Sequence, residues 1–132
     1  MLPMTTLSQE QGTLDIVVSG AKPNHGQAIL SLFSSSDNYL NKPVVSVFEK
    51  IDGSGEVVFR LSDVSNGFYA ISVFYDEDEN GELNTSFFGI PTELVGFSNN
   101  AKGSFGPPSY DQVKFKFIDS GLILIKFVAA DE

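Results

Sequence analysis

Apolar positions in this chain recur with a period of two. Across residues 13–19, Leu14, Ile16 and Val18 alternate with Asp15, Val17 and Ser19, which is the pattern of a strand with one face turned to a core. Residues 56–61 repeat it, with Val57, Phe59 and Leu61 set against Glu56, Val58 and Arg60. Further strands are predicted over residues 27–33, 44–51, 68–75, 113–118 and 122–128, the last with Ile123, Ile125 and Phe127 opposed to Leu122, Leu124 and Lys126. No segment keeps a helical period over three turns. Turn residues punctuate the pattern: Pro23, Asn24 and Gly26 break residues 20–26, and Asp52-Gly53-Ser54-Gly55 and Asp119-Ser120-Gly121 read as hairpin loops, because glycine permits positive φ. About seven strands at this spacing predict an all-β, antiparallel two-sheet sandwich. The expected layout is a loose tail over 1–11 and one domain over 12–130.

Composition agrees with that class. The chain has 132 residues, 42% apolar and 19% charged, which suits one domain with a sizeable core. It has no Cys, so disulfides and thiolate chemistry are excluded. The net charge of -9 opposes binding to nucleic acid and to anionic membranes and favours cations or basic partners. No run reaches the roughly 18–20 apolar residues of a membrane helix. The spacing Leu61…Gly67-Phe68-Tyr69 resembles the strand entry of transthyretin-like and immunoglobulin-like sandwiches, where the Tyr hydroxyl ties back to upstream backbone.

One region breaks the period. Residues 84–111 form a connection longer than the roughly 12–15 residues usual in a compact domain, yet it carries Phe87, Phe88, Ile90, Leu94, Val95, Phe97, Phe105 and Tyr110. So much apolar surface is expected to pack on something. Phe88-Gly89-Ile90-Pro91 and Phe105-Gly106-Pro107-Pro108 share a Phe-Gly-x-Pro pattern that could clamp it. Two readings stand: the connection folds onto its own core, or Phe97, Asn99, Asn100 and Tyr110 line a groove for a sugar or peptide. The first is favoured because Phe is more often core than binding surface.

The preceding loop carries the candidate chemistry. Residues 76–84 read Asp-Glu-Asp-Glu-Asn-Gly-Glu-Leu-Asn. Calcium takes six to eight oxygens. Asp76, Asp78 and Asn80 stand at positions 1, 3 and 5 of a loop of EF-hand spacing, Gly81 at the sharp bend, the Glu82 carbonyl at position 7 and the Asn84 side chain at position 9. Phe87 stands where an EF-hand has its bidentate Glu, and a strand precedes the loop, so this is no EF-hand. Glu93, or carbonyls of the connection, would complete the shell. Magnesium fits less well, since it seldom uses an all-protein cage. The competing reading is an Asn80-Gly81 hairpin tip with solvated carboxylates.

Phe74-Tyr75-Asp76, Asn80-Gly81, Phe87-Phe88-Gly89-Ile90-Pro91, Gly96-Phe97-Ser98-Asn99-Asn100-Ala101 and Phe105-Gly106-Pro107-Pro108 occur in that order. This set resembles a bacterial family of small exported proteins of unknown function, marked by the same acidic loop followed by FFGIP, GFSNNA and FGPP. The resemblance implies a transthyretin-like or immunoglobulin-like sandwich, a periplasmic or extracellular location and no established catalysis. Members often have Asp where this chain has Asn84.

Enzyme readings lack a constellation. His25 is the single His and sits in a turn, without evident partners for a zinc site or a triad. A small carbohydrate-active hydrolase would have to pair Glu93 with Asp76 or Asp78. The leading expectation is a non-catalytic exported binding or accessory module with calcium in the acidic loop and a protein or carbohydrate ligand. The alternative is a structural or assembly protein that associates through a sheet edge.

Overall fold

The computed structural model describes residues 11–84, 92–103 and 106–130. Its strands are β1 Gln11–Ser19, β2 Gln27–Phe33, β3 Val45–Lys50, β4 Val57–Ser65, β5 Gly67–Asp76, β6 Val95–Phe97, β7 Phe115–Phe117 and β8 Ser120–Lys126. A 3-10 turn at Ser98–Asn100 and one helical turn, α1 at Tyr110–Val113, lie between β6 and β7. One sheet has the order β4-β1-β8, and the other β3-β2-β5-β6 with β7 also on β5. The result is the two-layer, all-β sandwich that the alternation predicts.

The layers meet through the period-two faces. Leu14, Ile16 and Val18 of β1 and Val57, Phe59 and Leu61 of β4 are buried against Leu30, Leu32, Ile71, Val73 and Tyr75 of the other sheet. Each fully buried Val, Leu or Ile contributes about 1.5–3 kcal/mol of transfer free energy. Tyr69 is buried and its hydroxyl donates to the Ser65 carbonyl at 2.7 Å, the tie that its spacing predicts. A smaller cluster of Phe33, Ala70 and Val113, flanked by Tyr39, Phe97, Ala101 and Tyr110, packs under the α1 side.

Two features depart from the sequence reading. Residues 52–55 and 119–121 do not close hairpins between paired neighbours. β3 pairs β2 while β4 pairs β1, and β7 pairs β5 while β8 pairs β1. Both turns therefore carry the chain from one sheet to the other. Hydrogen bonding at a tight turn is local and does not disclose which sheet the next strand joins. The second departure is that β8 runs parallel to β1, from Thr13↔Ser120 to Ser19↔Lys126, while the other strand pairs among the described residues are antiparallel. At the start of β1, a Cβ on Gly12 would sit 1.6 Å from the Asp119 carbonyl oxygen. Glycine is required there by the close approach of the incoming β7–β8 turn.

The sheet topology places the acidic loop. β5 is the long central strand, with β2 on one side and β7 then β6 on the other. Asp76 ends it opposite Gln27, which is itself opposite Lys50. The loop after β5 thus starts at a sheet corner beside the ends of β2 and β3. Residues 85–91, with the first Phe-Gly-x-Pro element, and Phe105 of the second lie outside the described residues, as does nearly all of the tail expected over 1–11.

Candidate functional site

Asp76 is the hub of the loop. It is fully buried, and its carboxylate accepts from Gln27 Nε2 at 2.8 Å, the Gly81 amide at 2.8 Å and the Asn80 amide at 3.2 Å. Burial pushes its pKa up, but the hydrogen bonds from Gln27, Gly81 and Asn80 and the contact with Asp78 outweigh that and hold it below the ordinary carboxylate range. The chain curls around this carboxylate because residues 80 and 81 present their amides to it. Gly81 makes the bend at φ 81°, a left-handed conformation natural to glycine. Glu79 also turns left-handed, at φ 55°, which strains a non-glycine residue by about 1–2 kcal/mol.

The first four carboxylates of the loop, Asp76 to Glu79, then separate by parity. Odd-numbered Glu77 and Glu79 meet basic side chains: Glu77 pairs with Lys22 at 2.6 Å and lies 3.4 Å from His25 Nε2, and Glu79 pairs with Lys50. The Lys22 hydrogen bond holds the Glu77 carboxyl low, and Glu77 in turn raises Lys22. Even-numbered Asp76 and Asp78 turn the other way and meet Glu93. One carboxylate oxygen from each of Asp76, Asp78 and Glu93 lies within 4.8 Å of the others. Asp76 is buried, Glu93 half-buried and Asp78 exposed. Among the described residues, no Lys, Arg or His pairs with any of the three. Like charges at this separation repel by about 1 kcal/mol per pair in water and several times more in a drier setting.

Glu93 also ties the loop together. Its two oxygens accept from the Glu77 amide at 3.1 Å and the Asn84 amide at 3.0 Å, and the Thr92 amide donates to the Asn84 carbonyl at 2.9 Å. The return arm of the connection is thereby fastened across both ends of the loop. Asn80 and Asn84 form the remaining wall. Asn84 Nδ2 donates to Asp78 at 3.0 Å, Asn80 Nδ2 donates to Asn84 Oδ1 at 2.9 Å, and the Glu82 amide donates to Asn80 Oδ1 at 2.9 Å. Of the residues expected to hold a metal, Asp76 and Asp78 are brought together, Asn80 and Asn84 stand beside them, and exposed Glu82 stands outside the cluster. Three carboxylates on one point form a donor set that could hold a cation.

The residues expected to line a ligand groove are engaged within the fold. Asn99, at φ 64°, donates through Nδ2 to the carbonyls of Lys114 at 2.9 Å and Gln112 at 3.1 Å. Asn100 Oδ1 accepts from the Lys126 amide at 3.0 Å. Phe97 and Tyr110 pack on the smaller core cluster, with Tyr110 edge-on to Tyr39 at 5.9 Å. Between them lies Ser98, fully buried, whose hydroxyl accepts from the Ile71 amide at 3.0 Å and donates to the Val113 carbonyl at 2.7 Å. Sequence reasoning missed Ser98 and Gln27, since neither an isolated Ser nor a strand-initial Gln signals burial.

The family model described as "Uncharacterized protein conserved in bacteria (DUF2141)" matches residues 16–122, a span that runs from within β1 into β8 and contains the whole acidic loop. Searches of the curated proteins and of the solved structures gave no match. On a match of that extent, the chain belongs to the DUF2141 family of bacterial proteins.

Proposed function

We propose that the protein is a non-catalytic, exported binding or accessory module whose acidic loop takes one calcium ion. The observation that supports this reading is the separation by parity. The sequence supplies Lys22, His25 and Lys50 to Glu77 and Glu79, while Asp76, Asp78 and Glu93 converge without a basic partner among the described residues. Calcium is a hard cation that prefers carboxylate and carbonyl oxygens, and a bound ion would remove the mutual repulsion of the three groups. It would also lock Glu93, and with it the return arm from Thr92 to β6, onto the end of β5. The export part of the reading rests on the resemblance of the loop and Phe-Gly-Pro signature to exported bacterial proteins. A transthyretin-like or immunoglobulin-like arrangement of the sandwich belongs to the same proposal.

The test is a calcium titration of EDTA-stripped protein by calorimetry, paired with thermal melts. Calcium at a hundredfold excess over Kd is expected to stabilise the fold by about 2.7 kcal/mol, read as a rise in Tm that EDTA reverses. Asp78→Asn, an exposed change, is expected to weaken that response while the calcium-free protein stays folded. No heat and no Tm shift at millimolar calcium would sink the proposal.

A further inference from the structure

We infer that Asn80 is a site of spontaneous modification: its side chain deamidates through the Gly81 amide nitrogen, at a rate set by local opening of the acidic loop. The chain contains two Asn-Gly pairs, Asn66-Gly67 and Asn80-Gly81. Glycine after asparagine offers the least hindered backbone nitrogen for attack on the asparagine side chain, because it has no Cβ. That nitrogen bonds to the side-chain carbonyl carbon, the carbon's bond to Nδ2 breaks, and ammonia leaves with the proton given up by the glycine amide. A five-membered imide remains. Water opens it at one carbonyl to leave an aspartate, or at the other to leave an isoaspartate, whose main chain runs through Cβ.

The reaction needs an asparagine side chain free to turn and a glycine amide free to lose its proton. The closed loop restrains both. The Gly81 amide donates to Asp76 at 2.8 Å, and a carboxylate acceptor makes an N–H harder to deprotonate. Asn80 Oδ1 accepts from the Glu82 amide at 2.9 Å, and Nδ2 donates to Asn84 Oδ1 at 2.9 Å. All of these partners lie within residues 76–84, so opening this one loop releases the set without parting the sheets. Local openings of this kind cost less than global unfolding. Asn80 and Gly81 are exposed, and a Cβ on Gly81 would meet nothing within 4 Å. Once the loop opens, water reaches the pair directly.

Asn66-Gly67 carries the same chemistry under a different restraint. Asn66 lies between β4 and β5, and its side chain is tied to the β7–β8 turn. Its Oδ1 accepts from the Asp119 amide at 2.9 Å, and its Nδ2 donates to Asp119 Oδ1 at 3.4 Å. Gly67 begins β5 and pairs with Phe117 of β7. Freeing this pair means separating β5 from β7, an opening of the sandwich itself. Residue 80 therefore reacts first in the folded chain. Either product adds a negative charge at position 80, among Asp78, Glu79 and Glu82. The isoaspartate also lengthens the main chain by a methylene, which carries the Gly81 amide off Asp76. The step is one-way and loosens the loop that it enters.

Peptide mapping by mass spectrometry tests this on the full chain, incubated in EDTA at mildly alkaline pH, both folded and in urea. In urea, the two pairs are expected to convert at similar rates. In the folded chain, residue 80 is expected to convert more slowly than in urea, yet about tenfold or more faster than residue 66. Asn84→Ala removes the anchor on the departing nitrogen. It is expected to speed conversion at residue 80 severalfold, with residue 66 and the melting temperature unchanged. Four results overturn the inference: residue 66 converting as fast as residue 80 in the folded chain, residue 80 converting as fast folded as in urea, residue 80 still intact in the folded chain after weeks, or an Asn84→Ala chain with no acceleration beyond that at residue 66.

Discussion

Asn84 stands in the acidic loop where a carboxylate would face Asp78. Its amide nitrogen donates to Asp78 and its amide oxygen accepts from Asn80, so one side chain bridges an anion and a neutral donor. An Asp at this position could keep the second contact but would face Asp78 with like charge. Asn84→Asp is therefore expected to destabilise the calcium-free protein by about 1–2 kcal/mol and to enlarge the calcium-dependent gain in Tm. Thermal melts of both proteins with and without calcium check this, and an identical calcium response would show that residues 78 and 84 do not share an ion. At this scale, part of the site was legible. The spacing of Asp76, Asp78 and Gly81 encodes a chain wrapped around an oxygen cluster, and Glu93 was reachable as an acid returning on the far arm. The role of Gln27 was not legible, because it depends on the pairing of β2 with the last residue of β5.

Among the elements, the segment from β6 to α1 shows how irregular sequence is stabilised. Among its described residues, Ser98, Asn99 and Asn100 hold it through polar side chains bonded to backbone, contacts that impose no period on the sequence. Ser109 and Gln112 add a reciprocal capping box to α1, which satisfies amides that so short a helix cannot satisfy itself. Ser98→Ala leaves the Ile71 amide and the Val113 carbonyl unpaired in a buried site. That change is expected to destabilise the protein by about 1–3 kcal/mol, measured by urea unfolding, while Ser98→Thr is expected to retain the bonds and lose less. The regular strands were legible because burial on one face imposes a period of two. The hairpins assigned to residues 52–55 and 119–121 were not real hairpins, since turn chemistry at Asp52, where Ser54 and Glu56 close onto one carboxylate, is the same whether the chain returns to its own sheet or crosses.

For the molecule as a whole, charge sets a stability window in pH. The carboxyls of Asp52, Asp76 and Glu77 are held below their ordinary values. Asp52 is lowered chiefly by the Ser54 hydroxyl, Glu77 chiefly by Lys22, and Asp76 by hydrogen bonds that overcome its burial. The unfolded chain binds protons first on acidification, so this stability is complete above about pH 4–5 and is lost as pH falls through the folded-state values. At the alkaline end, burial raises Tyr39 to about 12, with its hydroxyl donating to the Pro108 carbonyl at 2.9 Å. Here the folded chain holds its proton longer than the unfolded one, so stability is present below about pH 10 and declines as pH rises toward 12. Chemical denaturation across pH is expected to show a plateau with both flanks, and Tyr39→Phe to flatten the alkaline one. The two-layer architecture was legible from alternation. Which strands share a sheet was not, because pairing is decided by contacts far apart in sequence. The β1–β8 pair is the extreme case, joining the first described strand to the last, side by side and pointing the same way. Tension applied to the two chain ends would draw these strands past one another along their axes. Rupture would then require the whole row of inter-strand bonds to fail together, in shear, rather than one after another as a zip, so this small sandwich should resist force better than its weight of hydrogen bonds alone suggests.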